Sequence, residues 1–398
     1  MGIRSKKNEY RSFNYLDKKK DFKNFDLSPE YNSFKSFLIP LTMEEEEEVK
    51  DIARKMLMIS LHDHAVVLPK SIRKLFYYTR EGRIFTAYSG LSESYWDVIF
   101  DAFMASMSAI RHSWRWSDII NEIGMRFCDL AHQDFVIRCE KIKDIFMAFK
   151  NGKISFIPTL ESSTMIENEL DRIDILYGLG IRMMGITYSE SNSLGTGLRE
   201  DKDGGLTYFG YKAVERMNKL GMAIDCAHAS DQTTIDVIKA SKEPIFISHI
   251  GAKGLRNIRR FKPDDILKLC ANNGGIIGIE AATNTTITNN NPVHNIESFM
   301  EHFEYIKDLV GIDHVAFGPD TFFGDQVGMQ HIVRASRKDN VSIKNDIYKE
   351  AKYAEGIENT AEASKNIVRW LVKHKYSREN IKKVLSGNII RVLKEVWF

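Results

Sequence analysis

The stretch YFGYKAVERMNKLGMAIDCAH, residues 208–228, sets a helical pattern directly against a short, continuously apolar run that ends in histidine. Continuous rather than alternating hydrophobicity is what a strand buried on both faces looks like, and such strands belong to parallel sheets covered by helices. PIFISH (244–249) repeats the form, and PDDILKLCANNGG (263–275) supplies the next helical pattern. Upstream, the same kind of run occurs as MLMISLH (56–62), WDVIFDA (96–102), ISFIPTLE (154–161) and RMMGITY (182–188). Downstream it occurs as GGIIGIE (274–280) and HVAFGPD (314–320). Eight such strands suggest an α/β fold, a (β/α)8 TIM-like barrel. More than 50 residues separate the run at 96–102 from that at 154–161, so on pattern alone a doubly wound sheet stays open.

No repeat or low-complexity linker argues for a second domain. Residues 1–45 read as an N-terminal arm, lysine-rich and spotted with aromatics, and 46–398 as one barrel domain. MEEEEEVKDIARKML (43–57) opens a helix whose acidic first turn suits the helix dipole, so the glutamate run reads as capping charge.

The 398 residues carry 56 basic and 54 acidic side chains, a formal net charge of +2 that implies neither nucleic acid nor an anionic membrane as partner. Small molecules are the default ligands. Cys128, Cys139, Cys226 and Cys270 lack metal-knuckle or disulfide-framework spacing and read as reduced thiols. The N-terminus has no apolar secretory core, Lys6 breaks a myristoylation pattern, and no run of about 18 apolar residues exists to span a bilayer. A cytoplasmic location is the expectation.

The ends of the apolar runs carry the chemistry. SLHDHAVVLP (60–69) places His62 and His64 two positions apart, so in a strand they share a face while Asp63 points the other way. Glu161, His228, His249 and Asp320 each close a later run. In a barrel these C-terminal ends converge on one rim, where such enzymes build their sites. Singly, His228 reads as a hydrogen-bonded core histidine, Glu161 as a salt-bridge partner and Asp320 as a helix cap. Chance explains one or two such positions and explains six poorly. Four histidines and a carboxylate suit zinc, and two ions about 3.5–4 Å apart need a bridging group such as Glu161. Hydrolysis is then implied, with Asp320 accepting and returning the proton of the attacking water.

From about residue 57 onward the chain resembles the membrane (renal) dipeptidase family, binuclear zinc metallopeptidases with an amidohydrolase-like barrel. The similarity is carried by 205–275, from GLTYFGYKAV through DCAH and FISH to RNIRRFKPDDIL. It extends to LGIRMMGITYSESNSLGTG (179–197), GIDHVAFGPD (311–320), AEGIEN (354–359) and SGNIIRVL (386–393). The resemblance implies Glu161 as the bridging carboxylate, His228 and His249 as ligands of one zinc, and His62 as a ligand of the other. It implies Asp320 beside the bridging water and Arg260 as the binder of the substrate carboxylate, a task that suits the guanidinium fork; Arg259 is the alternative.

Three departures stand out. Family members carry His-x-Asp where this chain has His62-x-His64, which leaves the site about one charge more positive and makes iron or manganese alternatives to zinc. Tyr188 replaces a histidine that contacts the scissile carbonyl oxygen; its hydroxyl can still donate to an oxyanion, or the ring only packs. After Asp320 the chain reads DTFFGD rather than D-F-D-G. SESNSLGTGLREDKDGG (189–205) has the composition of a mobile loop over a barrel mouth, or of a plain connection. Trp114 and Trp116 line a pocket or, as the commoner use, pack. The expected activity is hydrolysis of an amide in a dipeptide or dipeptide-like metabolite. Iron- or manganese-dependent redox or rearrangement chemistry is the alternative, with a non-catalytic ligand-binding barrel behind it. Related barrels are often dimers, so a homodimer is an open expectation.

Overall fold

The protein is described from a computed structural model that covers residues 9–103, 115–336 and 351–397. Its strands are β1 (Ile59–Asp63), β2 (Val98–Phe103), β3 (Val136–Arg138), β4 (Ile154–Leu160), β5 (Met183–Gly185), β6 (Ala223–Asp225), β7 (Phe246–Ile250), β8 (Ile276–Ile279) and β9 (Val315–Phe317). Eight of them pair in parallel in the order β1-β2-β4-β5-β6-β7-β8-β9, and β3 lies off that path, paired to β4. The ends meet where Asp320 N–H donates to His62 O at 3.0 Å and His64 N–H to Thr321 O at 3.1 Å. An open doubly wound sheet has no such junction; this is a nearly closed (β/α)8 barrel.

Each of the eight apolar runs contains a strand. The ninth, β3, escaped notice because it is three residues long with only Val136 buried. The long gap in the sequence is filled in part by this strand and by the helices Trp116–Leu130 and Ile142–Lys150.

The helices follow from local chemistry. In Tyr208–Leu220, Thr207 accepts from Gly210 N–H at the start, and Gly221 takes the left-handed conformation (φ 74°) that ends the helix. Gly210, Ala213, Val214 and Met217 form its buried stripe against the barrel. Met43–Lys55 starts with a reciprocal capping box between Thr42 and Glu45.

One apolar cluster takes a residue from every barrel strand, Leu61, Phe100, Ile157, Met183, Ala223, Phe246, Ile276 and Ala316, and so fills the barrel. Ile389 and Leu393 of the C-terminal helix (Asn388–Val396), with Trp397 just after it, extend the same cluster. The alternate residues, among them Ile99, Phe156, Ile247, Ile277 and Phe317, pack in the larger cluster with the surrounding helices. Above the filled interior two glycines bring strands close together. A Cβ on Gly278 would lie 1.9 Å from Ser248 O, and one on Gly318 would lie 2.2 Å from the same oxygen. Among the described residues no helix is long and apolar enough to cross a membrane.

Candidate active site

His62 on β1 and His64 just beyond it turn to the same side, as their spacing requires, and meet Glu161 from the end of β4 and Asp320 from the segment after β9. His62 Nε2 lies 3.0 Å from Glu161 Oε1 and 3.6 Å from Asp320 Oδ1. His64 Nε2 lies 3.1 Å from Asp320 Oδ1 and 3.6 Å from Glu161 Oε1. A second group shares Glu161 and adds His228 and His249, whose Nε2 atoms are 3.0 Å apart. The imidazoles of His62 and His249 stack at 3.6 Å between centroids, tying the groups together. All six rim residues read from the sequence therefore converge, while Asp63 points away. Asp63 accepts from Thr321 N–H and Oγ1–H, each at 2.8 Å, and from Ser60 Oγ–H at 2.6 Å, and so pins the β9 exit to β1. Asp320 sits in the left-handed region at φ 58°, a conformation unfavourable for a non-glycine residue and held by the bond to His62 O.

The tautomers test whether the residues fit a cation. His64 Nδ1–H donates to Ala102 O at 3.1 Å, so in the neutral ring the Nε2 lone pair faces two carboxylate oxygens. Such an arrangement needs a positive charge between them. Ser248 Oγ–H donates to Asp225 Oδ2 at 2.6 Å and takes His249 Nδ1–H at 2.8 Å, which leaves the His249 Nε2 lone pair aimed at His228. Glu161 Oε2, fully buried, has no hydrogen-bond partner among the described residues. These donors fit two cations joined at Glu161. Without metal, protons serve instead. Burial opposes charging His62, but Asp320 and Glu161 outweigh it and hold that imidazole up at about 9; the same balance raises His64 well above the usual value. Glu161 is held well below the carboxylate range by His62 and His64 despite its burial. Burial and the positive charge of Arg260 keep His228 well below the ordinary imidazole value; His249 is held down by burial, with the charges of His62 and Arg260 adding.

Arg260 Nη1–H donates to Ala227 O and Nη2–H to His249 O, both at 2.8 Å, and Nη2 lies 2.5 Å from Glu280 Oε2. Arg259 instead faces Arg199 O and Asp201 at the surface. Tyr188 stacks on His228 at 4.2 Å between centroids, and Phe322 on His64 at the same distance. The 189–205 loop is anchored beside the site: Leu198 N–H donates to His228 O, and Asp203 accepts from Ser230 Oγ–H. Trp116 begins its helix under the Arg172 guanidinium, and Trp114 lies outside the described residues. Cys139, Cys226 and Cys270 are buried free thiols and Cys128 an exposed one. Sequence reasoning missed Asp225, Ser248 and Glu280. The signal for Glu280 was present, since it ends the run GGIIGIE as the ligands end theirs. Burial pushes its carboxyl up to about 7 against the pull of Arg260.

The family model described as Membrane dipeptidase (Peptidase family M19) matches residues 121–397, more than half of the chain. Among solved structures, the probable dipeptidase PvdM from Pseudomonas aeruginosa superposes with a TM-score of 0.69 at 16% identity, covering 90% of this chain and 99% of that one. An amidohydrolase from Pseudomonas aeruginosa gives 0.67 at 23% identity, with 88% and 99% covered. A metallo peptidase from Rhodobacter sphaeroides, liganded with a phosphinate mimic of the dipeptide L-Ala-D-Ala, gives 0.64 at 18%, with 86% and 99% covered. These likenesses show the shared barrel. Together with the family match and the paired donor sets, they lead to the conclusion that this chain belongs to the membrane dipeptidase family and is a metallodipeptidase-type enzyme.

Proposed function

We propose that the chain is a binuclear metal-dependent hydrolase that cleaves the amide bond of a dipeptide or dipeptide-like small metabolite. The observation that carries this reading is the pair of donor sets sharing Glu161. His62 and His64 would serve one ion and His228 and His249 the other, with Glu161 common to both and Asp320 beside the first group. When bound there, two divalent ions, zinc by the nature of these donors with iron or manganese as alternatives, would supply Lewis acidity toward the amide carbonyl and lower the pKa of water. Asp320, with its side chain 14% exposed at the edge of the cluster, accepts the proton of the attacking water and returns it to the leaving amine. Tyr188 donates its hydroxyl to the developing oxyanion, and Arg260 anchors the far end of the substrate.

Metal content after reconstitution, read by plasma mass spectrometry, tests this directly. About two ions per chain are expected, with Glu161→Ala losing them. Asp320→Asn should keep metal and lower kcat by about 10²–10⁴-fold. An undiminished rate in Asp320→Asn refutes the proton role, and a chain that stays empty refutes the whole reading.

A further inference from the structure

His64 stands one residue beyond β1, where the ladder to β2 no longer fixes the chain. The pairing of the two strands slips between Ser60 and Asp63, across His62, and closes with Asp63 opposite Asp101. From there the end of β2 takes over. Asp101 Oδ1 accepts Ala65 N–H at 2.5 Å, gripping the backbone directly after His64, and the carbonyl of the next residue, Ala102, accepts from His64 Nδ1–H at 3.1 Å. An imidazole binds a cation through one of two inequivalent nitrogens, so such a ligand must be held in one tautomer and one direction. Asp101 itself belongs to neither donor set.

Asp101 is wholly buried, and its Oδ2 accepts from Arg126 Nη2–H at 3.0 Å. Arg126, on the helix Trp116–Leu130, is buried as well, with its guanidinium over the rings of Phe103 and Phe156. Its Nε and Nη1 have no hydrogen-bond partner among the described residues. Taking such a pair out of water costs about as much as its attraction returns, so stability alone is a weak reason for it. What the pair secures is a fixed acceptor for Ala65 N–H. We propose that Asp101, held by Arg126, is a positioning residue for the ion served by His62 and His64, fixing the chain on either side of His64 so that its Nε2 faces that ion. The inference rests on the binuclear reading above for the presence of the ion.

The full chain, stripped of metal and titrated with zinc against a chelator of known affinity, reports the affinity of each ion. Asp101→Leu/Arg126→Met removes the clasp without leaving either charge buried alone. It should weaken one ion by about 10–100-fold and leave the other unmoved. Asp101→Asn/Arg126→Gln, whose amide oxygen can still accept from Ala65 N–H, should recover most of that loss. The decisive comparison is a cycle with His64→Ala. A residue that acts through His64 costs nothing further once that imidazole is gone, whereas a merely structural pair costs the same in both backgrounds. Weakening of both ions alike, weakening of neither, no recovery in Asp101→Asn/Arg126→Gln, or an equal loss in the His64→Ala background overturns the proposal. Should Asp101→Leu/Arg126→Met not fold, Asp101→Glu, which keeps a charge for Arg126 but moves the acceptor by one methylene, takes its place in the same cycle. A wild-type chain that holds two ions while the cycle fails sinks this inference and spares the hydrolase reading; a wild-type chain that takes up no zinc sinks the binuclear reading and this inference with it.

Discussion

His249 illustrates how a ligand is aimed. Its Nδ1–H is taken by Ser248 Oγ, and that hydroxyl is itself committed to Asp225, so the ring cannot present the wrong nitrogen. Ser248→Ala removes the link and leaves the buried Asp225 one donor short. Metal affinity, measured by competition against a chelator, should drop by about 10–100-fold with the fold intact. Unchanged affinity would reduce Ser248 to packing. The six rim residues were legible because each stands at the end of an apolar run, where an ionisable group is costly without a partner. Ser248 and Asp225 were not, because a serine or aspartate inside a strand announces no partner until the neighbouring strand is in register beside it.

At the scale of elements, the site depends on how closely the strands approach at the rim. Gly278 on β8 and Gly318 after β9 both crowd Ser248 O, and the position a Gly318 Cβ would take lies 3.2 Å from His62 Cβ. Gly278→Ala must push β8 away from β7, costing about 1–3 kcal/mol as overpacking does. A lowered midpoint in urea, with an unchanged slope, is the expected result. Full stability would mean that the backbone yields more easily than its spacing suggests. The strands themselves were legible from continuous hydrophobicity. The short β3 and the closure of β1 onto the β9 exit were not, since three residues make no pattern and closure is a contact between chain positions more than 250 apart.

The whole molecule carries a buried acid outside the site. Glu358, 2% exposed, accepts from Ala354 N–H at 2.6 Å, and burial, with Glu362 and Asp325 adding, pushes its carboxyl up to about 9. The folded chain then keeps a proton that the unfolded chain gives up near pH 4.5. The unfolded state binds fewer protons across that window, so stability falls as pH rises from about 5 toward 9. Glu358→Gln cannot ionise, and its Tm relative to wild type should climb over the same range; a Tm difference that is flat with pH would rule this out. Residues 9–42 are likewise a matter of the whole. Phe13 N–H reaches Asp129, Ile39 N–H reaches Asn366, and Arg369 reaches Ile39 O, so this segment is sewn onto both halves of the barrel.

The chain by itself determined the barrel and the ring of metal-binding candidates. Periodicity and the placement of polar groups at strand ends are local properties that survive in a one-dimensional string. Only the tertiary structure decided that Glu161 joins two donor sets, that Ser248 orients His249, and that Glu280 pairs with Arg260. Each of these depends on which way side chains from separate strands point once the barrel has curved and closed, and hydrogen bonds and ion pairs fall off within an ångström or two of misplacement.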